Sequence, residues 1–432
     1  MGYYAQFVTS GETITMTRSP LSQNILNRFL KYVAIDTMSD PHITDHRPTS
    51  EGQIEMLRLL ESELRALGIG DVVFDPKGYL VARIPSNLPK GKRAPTIGFM
   101  AHVDVADDVA GNGVKARVID SYDGRDIVLN REYSIMKDDN PLLAGYIGQQ
   151  LVVTDGTTLL GGDDKAGVAI LMALAERLLA DDAIGHGEVE LVFTSDEETG
   201  SGMDAFDVGM LRSRCCYTID GGERGEIEAE CFNAATVEVD FQGIPYHLGA
   251  ARGRMVNSVS MAVSFIAALP RSESPEATDG RYGYYCAEEI KGSSIHTHAV
   301  FYLRDFELEG LERRIDVLRS LAATTEKLFP GGKVEVNSKI VYQNMYEAIK
   351  KDPAIMDAIW KAGEKLGVKL HEKIIRGGTD GARLAQMGIP APNLYTGSHN
   401  LHSRFEWVAV GAMEESALLV EQIIAQWAGV DA

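Results

Sequence analysis

Apolar and polar positions recur along the chain with two periods, and the periods predict its elements. Leu21, Ile25, Leu26, Phe29, Leu30 and Val33 stand at helical spacing. So do Ile54, Leu57, Leu60, Leu64 and Leu67, after Ser50-Glu51-Gly52-Gln53, which reads as a capping box, and before Gly68 as a stop. Residues 72–74 and 79–84 read as strands joined by the turn Asp75-Pro76-Lys77-Gly78. Short buried strands follow over 96–100, 188–194 and 215–219, with an apolar helix over 167–179. From about Cys231 the order becomes strand 234–241, helix 256–269, strand 299–306, helix 311–329, strand 334–341. That β-α-β-α-β order predicts a small antiparallel sheet with two helices on one face. Helix 353–367, strands 369–375 and 393–395, and an amphipathic helix 412–427 then resume the first pattern. The expected fold is an α/β domain, a mixed sheet flanked by helices, over 21–231 and 343–432. A smaller α+β unit over 232–342 is inserted in it, and 1–20 form an N-terminal extension.

Length agrees, since 432 residues exceed one typical domain. The formal net charge of -20 argues against nucleic acid and against anionic membrane surfaces. No apolar run approaches the roughly 20 residues of a membrane span. Residues 1–20 have no basic start and no apolar centre, so they do not read as a secretory signal. Their alternation (Phe7, Val8, Ile14, Met16) suggests a loosely held extension or an added edge strand. Cys215, Cys216, Cys231 and Cys286 lack zinc-type pair spacing and read as free thiols in a reducing compartment. A cytoplasmic location is expected.

The chemistry gathers at strand ends. Ala101-His102-Val103-Asp104 closes the third strand, and alternate residues on a strand share a face. His102 can thus be a ligand with Asp104 behind its second nitrogen. Asp163-Asp164 stand where a strand gives way to a helix, the usual place for sites in open α/β sheets. Ser195-Asp196-Glu197-Glu198-Thr199-Gly200 and Asp220-Gly221-Gly222 close two further strands, and His399 and His402 lie in the loop 397–406. Taken singly, each is an ordinary solvated strand end or a helix start with acids offsetting the dipole. Together, His102, Asp163, Glu198, Asp220 and His402 are O and N donors without cysteine. Such a set suits catalytic zinc, or manganese or cobalt, better than a structural ion. Three carboxylates against two dications leave a positive site that lowers the pKa of water, with Glu197 left over as a base. A nucleotide site is disfavoured, because Gly161-Gly162 leads into two acids that repel phosphate.

These motifs resemble the peptidase T group of tripeptide aminopeptidases, within the larger family of two-zinc aminopeptidases, carboxypeptidases and deacylases. The resemblance runs from about Leu26 to the last helix. It rests on Ala-His-Val-Asp at 101–104, Leu-Leu-Gly-Gly-Asp-Asp-Lys-Ala-Gly at 159–167, Asp-Glu-Glu at 196–198 and Tyr-Thr-Ile-Asp-Gly-Gly at 217–222. Tyr-Leu-Arg-Asp-Phe at 302–306, Arg-Gly-Gly-Thr-Asp-Gly-Ala at 376–382 and Pro-Asn-Leu-Tyr-Thr-Gly at 392–397 complete it. The resemblance implies a two-zinc exopeptidase fold whose inserted unit is a lid, a site of dimerisation as well. It implies His102, Asp163 and Asp220 on one zinc and Asp163, Glu198 and His402 on the other, with Asp163 bridging. Asp104 would stand behind His102, Glu197 would be the general base, and the Asp163-Asp164 peptide would be cis. His247, Asn257, Arg304 and Arg376 match positions that bind substrate. The chain departs from the pattern at Leu248, where the family has Pro, at Gly162, where it has Ala, and at His399, where it has Tyr. His402 is taken as the ligand, because it follows Asn400 at the expected spacing and precedes Glu406. The implied activity is removal of the N-terminal residue from short peptides, above all tripeptides. A dipeptidase, carboxypeptidase or N-acyl amino acid hydrolase is the alternative. A non-catalytic binding homologue is disfavoured, since it has no reason to keep both Glu197 and Glu198.

Overall fold

Helix Gly162–Ala180 lies along an eight-stranded mixed sheet in the computed structural model of the protein, which describes residues 19–181 and 184–430. From Ala166 to Ala175 the helix is apolar all round and buried, as a helix covered on every side must be. Helices Pro20–Val33 and Val410–Trp427 pack beside it and complete that layer. The sheet runs in the order Asp71–Asp75, Tyr79–Ile84, Val189–Thr194, Ile97–His102, Cys216–Gly221, Asn393–Tyr395, Glu226–Cys231, His371–Ile375. Ile97–His102 and Val189–Thr194 are buried throughout, and strands covered on both faces read as near-continuous apolar runs. Their alternate residues feed two cores. Phe99, Leu191 and Tyr217 face the large helical layer, whereas Met100, Val192 and Cys216 meet Met203, Phe206 and Leu384 opposite.

Register decides where chemistry can collect. Ile97–His102 is parallel to both neighbours, with His102 level with Thr194 and Met100 level with Thr218. The carboxyl ends carrying His102, Glu197-Glu198 and Asp220 therefore open on the same side. A four-stranded sheet of Ser398–His399, Trp407–Ala409, Leu151–Val153 and Arg117–Ile119 brings the C-terminal loop to that edge.

Residues 233–342 form a separate antiparallel sheet, ordered Tyr284–Gly292, His296–Asp305, Asn233–Gln242, Lys333–Tyr342. Helices Ser258–Ala267 and Leu308–Leu328 cover one face over a core of Val237, Val239, Phe241, Phe265, Phe301 and Leu318. The crossings are sewn by two asparagines: Asn344 accepts the Cys231 N–H and donates its own N–H to Asn233.

Local expectations needed correction in four places. The second unit has four strands where three were expected. Its extra strand, Tyr284–Gly292, is an edge with mostly exposed residues and so lacks an apolar alternation. Strand Glu226–Cys231 was hidden by buried glutamates at 226 and 228. Ser50 caps its helix by position but makes no side-chain cap bond; its Oγ instead accepts from Gln53 Nε2 at 3.2 Å, and Gln53 also donates to Asp196. The apolar helix expected over 167–179 begins at Gly162 and breaks at Asp163 and Asp164. Of the N-terminal extension, residues 1–18 lie outside the described residues. The first helix starts at Pro20, capped by Ser19 Oγ accepting the Ser22 N–H at 3.0 Å. Among the described residues no helix is long and apolar enough to cross a membrane.

Candidate metal centre

Asp163 stands between the two histidines. Its Oδ1 lies 2.9 Å from His102 Nε2, and its Oδ2 lies 3.5 Å from His402 Nε2. Asp220 Oδ1 joins the first side at 3.4 Å from His102 Nε2, and Glu198 Oε2 joins the second at 2.9 Å from His402 Nε2. The five expected ligands thus meet, with one carboxylate turned both ways. Asp164 also brings a carboxylate near His102 and Asp220. Its oxygens, however, take backbone N–H groups from Gly167 at 3.0 Å and His102 at 3.3 Å, so it stands behind the cluster. The Asp163-Asp164 peptide is cis.

Each imidazole is oriented through its other nitrogen, as metal-bound histidines usually are. His102 Nδ1 lies 3.2 Å from the Asp104 carbonyl and 3.4 Å from its Oδ1. The Asp104 carboxylate also accepts the N–H groups of Glu197 and Glu198, each at 3.1 Å. One buried acid therefore ties His102 to the Glu197-Glu198 loop. His402 Nδ1 lies 3.2 Å from Asp108 Oδ2, a partner sequence reasoning missed although Asp107-Asp108 open the long segment after Asp104.

The supporting frame is built from buried polar groups. Glu406 accepts the backbone N–H groups of Leu160, Gly161, Gly162 and Asp163 at 2.8, 2.8, 2.7 and 3.2 Å. A Cβ at Gly162 would stand 2.9 Å from Glu406 Oε1 and 2.6 Å from Val408, which accounts for glycine at that departure. Gly167 is needed for close packing as well, since a Cβ there would stand 2.0 Å from the Ile219 carbonyl. Asp196 has a left-handed φ of 59°, and its carboxylate accepts from Thr49 and Gln53. Residues held in such conformations collect at functional sites. Asn393 Oδ1 accepts the Asp220 N–H at 3.0 Å, while its Nδ2 donates to Glu228 at 2.7 Å.

Electrostatics point to cations. Burial, then the Asp163 charge, pushes Glu198 up to about 7. Burial also holds Glu197 and Asp220 well above the carboxylate range. Hydrogen bonds to Asp163 and Glu198 raise His402 to about 11. The pocket thus crowds more acids than its imidazoles balance. Glu198 Oε1 is buried without a hydrogen-bond partner, the condition of an oxygen reserved for an ion. This donor set fits two divalent cations.

The remaining expected residues lie elsewhere. His399 is buried, stacked on Trp407 at 3.8 Å with its Nε2 3.3 Å from the Tyr146 hydroxyl, and burial lowers it to about 4. It packs in the small sheet and takes no place among the ligands. His247 is exposed on the second unit, before the turn Leu248–Ala250. Asn257 Oδ1 caps helix Ser258–Ala267, accepting the Val259 N–H at 2.9 Å. Arg304 lies by Tyr302 and Tyr342 and donates to the Leu303 carbonyl. Arg376 gives both terminal nitrogens to the second unit, to Gly280 and Tyr282 carbonyls and to Thr278. Sequence reasoning also missed Asp380, buried beside Thr194 Oγ1 at 2.7 Å and raised by burial to about 6.

Known proteins resemble this chain in sequence and in fold. Residues 154–426 match the family model described as peptidase family M20/M25/M40. The chain is 40% identical over 406 residues to peptidase T of Geobacillus thermodenitrificans, covering 94% of this chain and 98% of that one. It is 41% identical over 402 residues to peptidase T of Clostridium perfringens, covering 93% and 98%. In fold it is similar to the aminopeptidase PepT of Bacillus cereus, with a TM-score of 0.74 and 24% identity over 94% of this chain and 99% of that one. It is also similar to the Bacillus subtilis YxeP protein, described as a dinuclear metal-binding peptidase, with a TM-score of 0.65, 14% identity, and 94% and 98% coverage. The chain belongs to peptidase family M20/M25/M40 and, within it, stands with the peptidase T enzymes.

Proposed function

We propose that the chain is a two-zinc aminopeptidase that removes the N-terminal residue from tripeptides. The observation that carries this reading is Asp163, whose two carboxylate oxygens face His102 and His402 respectively. His102, Asp163 and Asp220 would hold one ion, and Asp163, Glu198 and His402 the other. Bound zinc ions supply an activated water and a Lewis acid for the scissile carbonyl. Glu197 takes the proton of the attacking water on its carboxylate and gives it to the departing amine. Its burial supports that role, since a carboxyl held well above the usual carboxylate range keeps a captured proton long enough to pass it on. Asp104 keeps His102 in one tautomer and, by accepting two N–H groups, steadies Glu197 and Glu198.

The unit over 232–342 is the lid. Arg304 and the Asn257 Nδ2 on it are assigned to the substrate's carboxylate and carbonyls, because the Asn257 oxygen is already a helix cap. The exposed His247 supports oxyanion contact on lid closure, or across a homodimer formed by the lids. Arg376 acts first as a tie between the units, through its bonds to 278–282. Free cysteines support a cytoplasmic location.

A panel of di-, tri- and tetrapeptides and N-acyl amino acids, with zinc, cobalt or manganese returned to stripped protein, tests the reading. Tripeptides with a free amino terminus should be cleaved fastest, releasing their first residue. Preference for dipeptides or N-acyl amino acids would contradict it.

A further inference from the structure

The open face of the second sheet carries a cluster unconnected with the centre above. His296 and His298 are alternate residues of strand His296–Asp305, so both side chains leave the same face. Between and beyond them, Thr297 and Ala299 are buried toward the helices, which puts the imidazoles on the uncovered side. Asp240 is the cross-strand partner of His298, and Glu335 is the partner of Asp240 on the next strand. Asp240 Oδ1 lies 2.8 Å from His296 Nε2 and 3.0 Å from His298 Nδ1. Two imidazoles on neighbouring rungs thus converge on one carboxylate oxygen.

We propose that His296, His298 and Asp240 form a third metal site, for Zn2+ or another borderline divalent cation, on the open face of the lid. Imidazole and carboxylate donors are the ligands zinc takes outside thiolate sites. A tetrahedral zinc with bonds of about 2.0–2.1 Å separates its ligand atoms by roughly 3.3 Å. The present nitrogen-to-oxygen spacings of 2.8 and 3.0 Å are shorter than that separation, so the side chains turn outward to admit it. The side chains have room for that turn, with exposures of 53% for His296, 34% for His298 and 26% for Asp240. The fourth position falls to water or to Glu335. Lys291, cross-strand from His298, is exposed and long enough to keep its ammonium in solvent. Arg304, on the same strand, lies about 20 Å away at the rise of an extended chain, so the site is separate from the proposed substrate contacts.

The test counts zinc. Chelator-stripped full-length protein and the double variant His296→Ala/His298→Ala are equilibrated with the same low-micromolar free Zn2+, and bound metal is measured by plasma emission. The variant should hold one equivalent fewer than the parent, with the same kcat and the same melting temperature when stripped. Equal counts would overturn the site. Asp240→Asn keeps both imidazoles and should weaken the additional equivalent at least about tenfold; unchanged affinity would equally overturn it. The result is a difference between proteins sharing one catalytic cluster, so it stands apart from the two-zinc reading.

Discussion

Glu406 Oε1 accepts the backbone N–H of Asp163 at 3.2 Å, across 243 residues of sequence. The same carboxylate holds the N–H groups of Leu160, Gly161 and Gly162, so the C-terminal loop fixes the loop that presents the bridging acid. Glu406→Ala strands four donors, and the three buried ones each cost about 1–3 kcal/mol when unpaired. Both the melting temperature and the zinc content should fall. Calorimetry and plasma emission on one preparation check this, and a variant unchanged in both would show that the loop holds itself.

Asp108 supplies the carboxylate behind His402, as Asp104 does behind His102. Loss of such a partner typically weakens metal binding about 10–100-fold. Asp108→Ala should weaken one zinc by that factor and leave the other in place. Competition against a fluorescent zinc chelator reads both affinities. Two undisturbed affinities would make the Asp108 contact incidental.

The buried strand ends were legible because apolar runs stop abruptly at His102, Glu197-Glu198 and Asp220, and parallel register then aligns them. The frame was not. Glu406 and Asp108 act on residues far away in sequence, and no local pattern distinguishes them from surface acids. The bonds of Arg376 to 278–282 were equally hidden, since its motif carries no sign of that partner segment. Strand Tyr284–Gly292 escaped because an exposed edge needs no apolar alternation.

Glu228 connects the frame to pH. Burial raises it from 4.5 to about 7, against the hydrogen bond from Asn393. Between those values the folded protein holds a proton that the unfolded chain has lost. Stability therefore falls as pH rises through that window. Glu228→Gln keeps an acceptor for Asn393 and cannot ionise. It should gain on the order of 2 kcal/mol above pH 7 and nothing below about pH 4.5. Urea midpoints across this range measure the difference, and a gain independent of pH would assign the effect to packing.

The central claim is that Glu198 holds metal while its neighbour Glu197 moves protons. Glu197→Gln preserves shape and hydrogen bonding and removes only proton transfer, a loss of about 10²–10⁴ in rate. Zinc content and kcat for a tripeptide, measured on one preparation of this variant, decide the matter. The account predicts two zinc ions per chain, nearly unchanged substrate binding and a kcat at least roughly a hundredfold lower. Lost zinc, with a residual rate proportional to occupancy, would make Glu197 a ligand and contradict it.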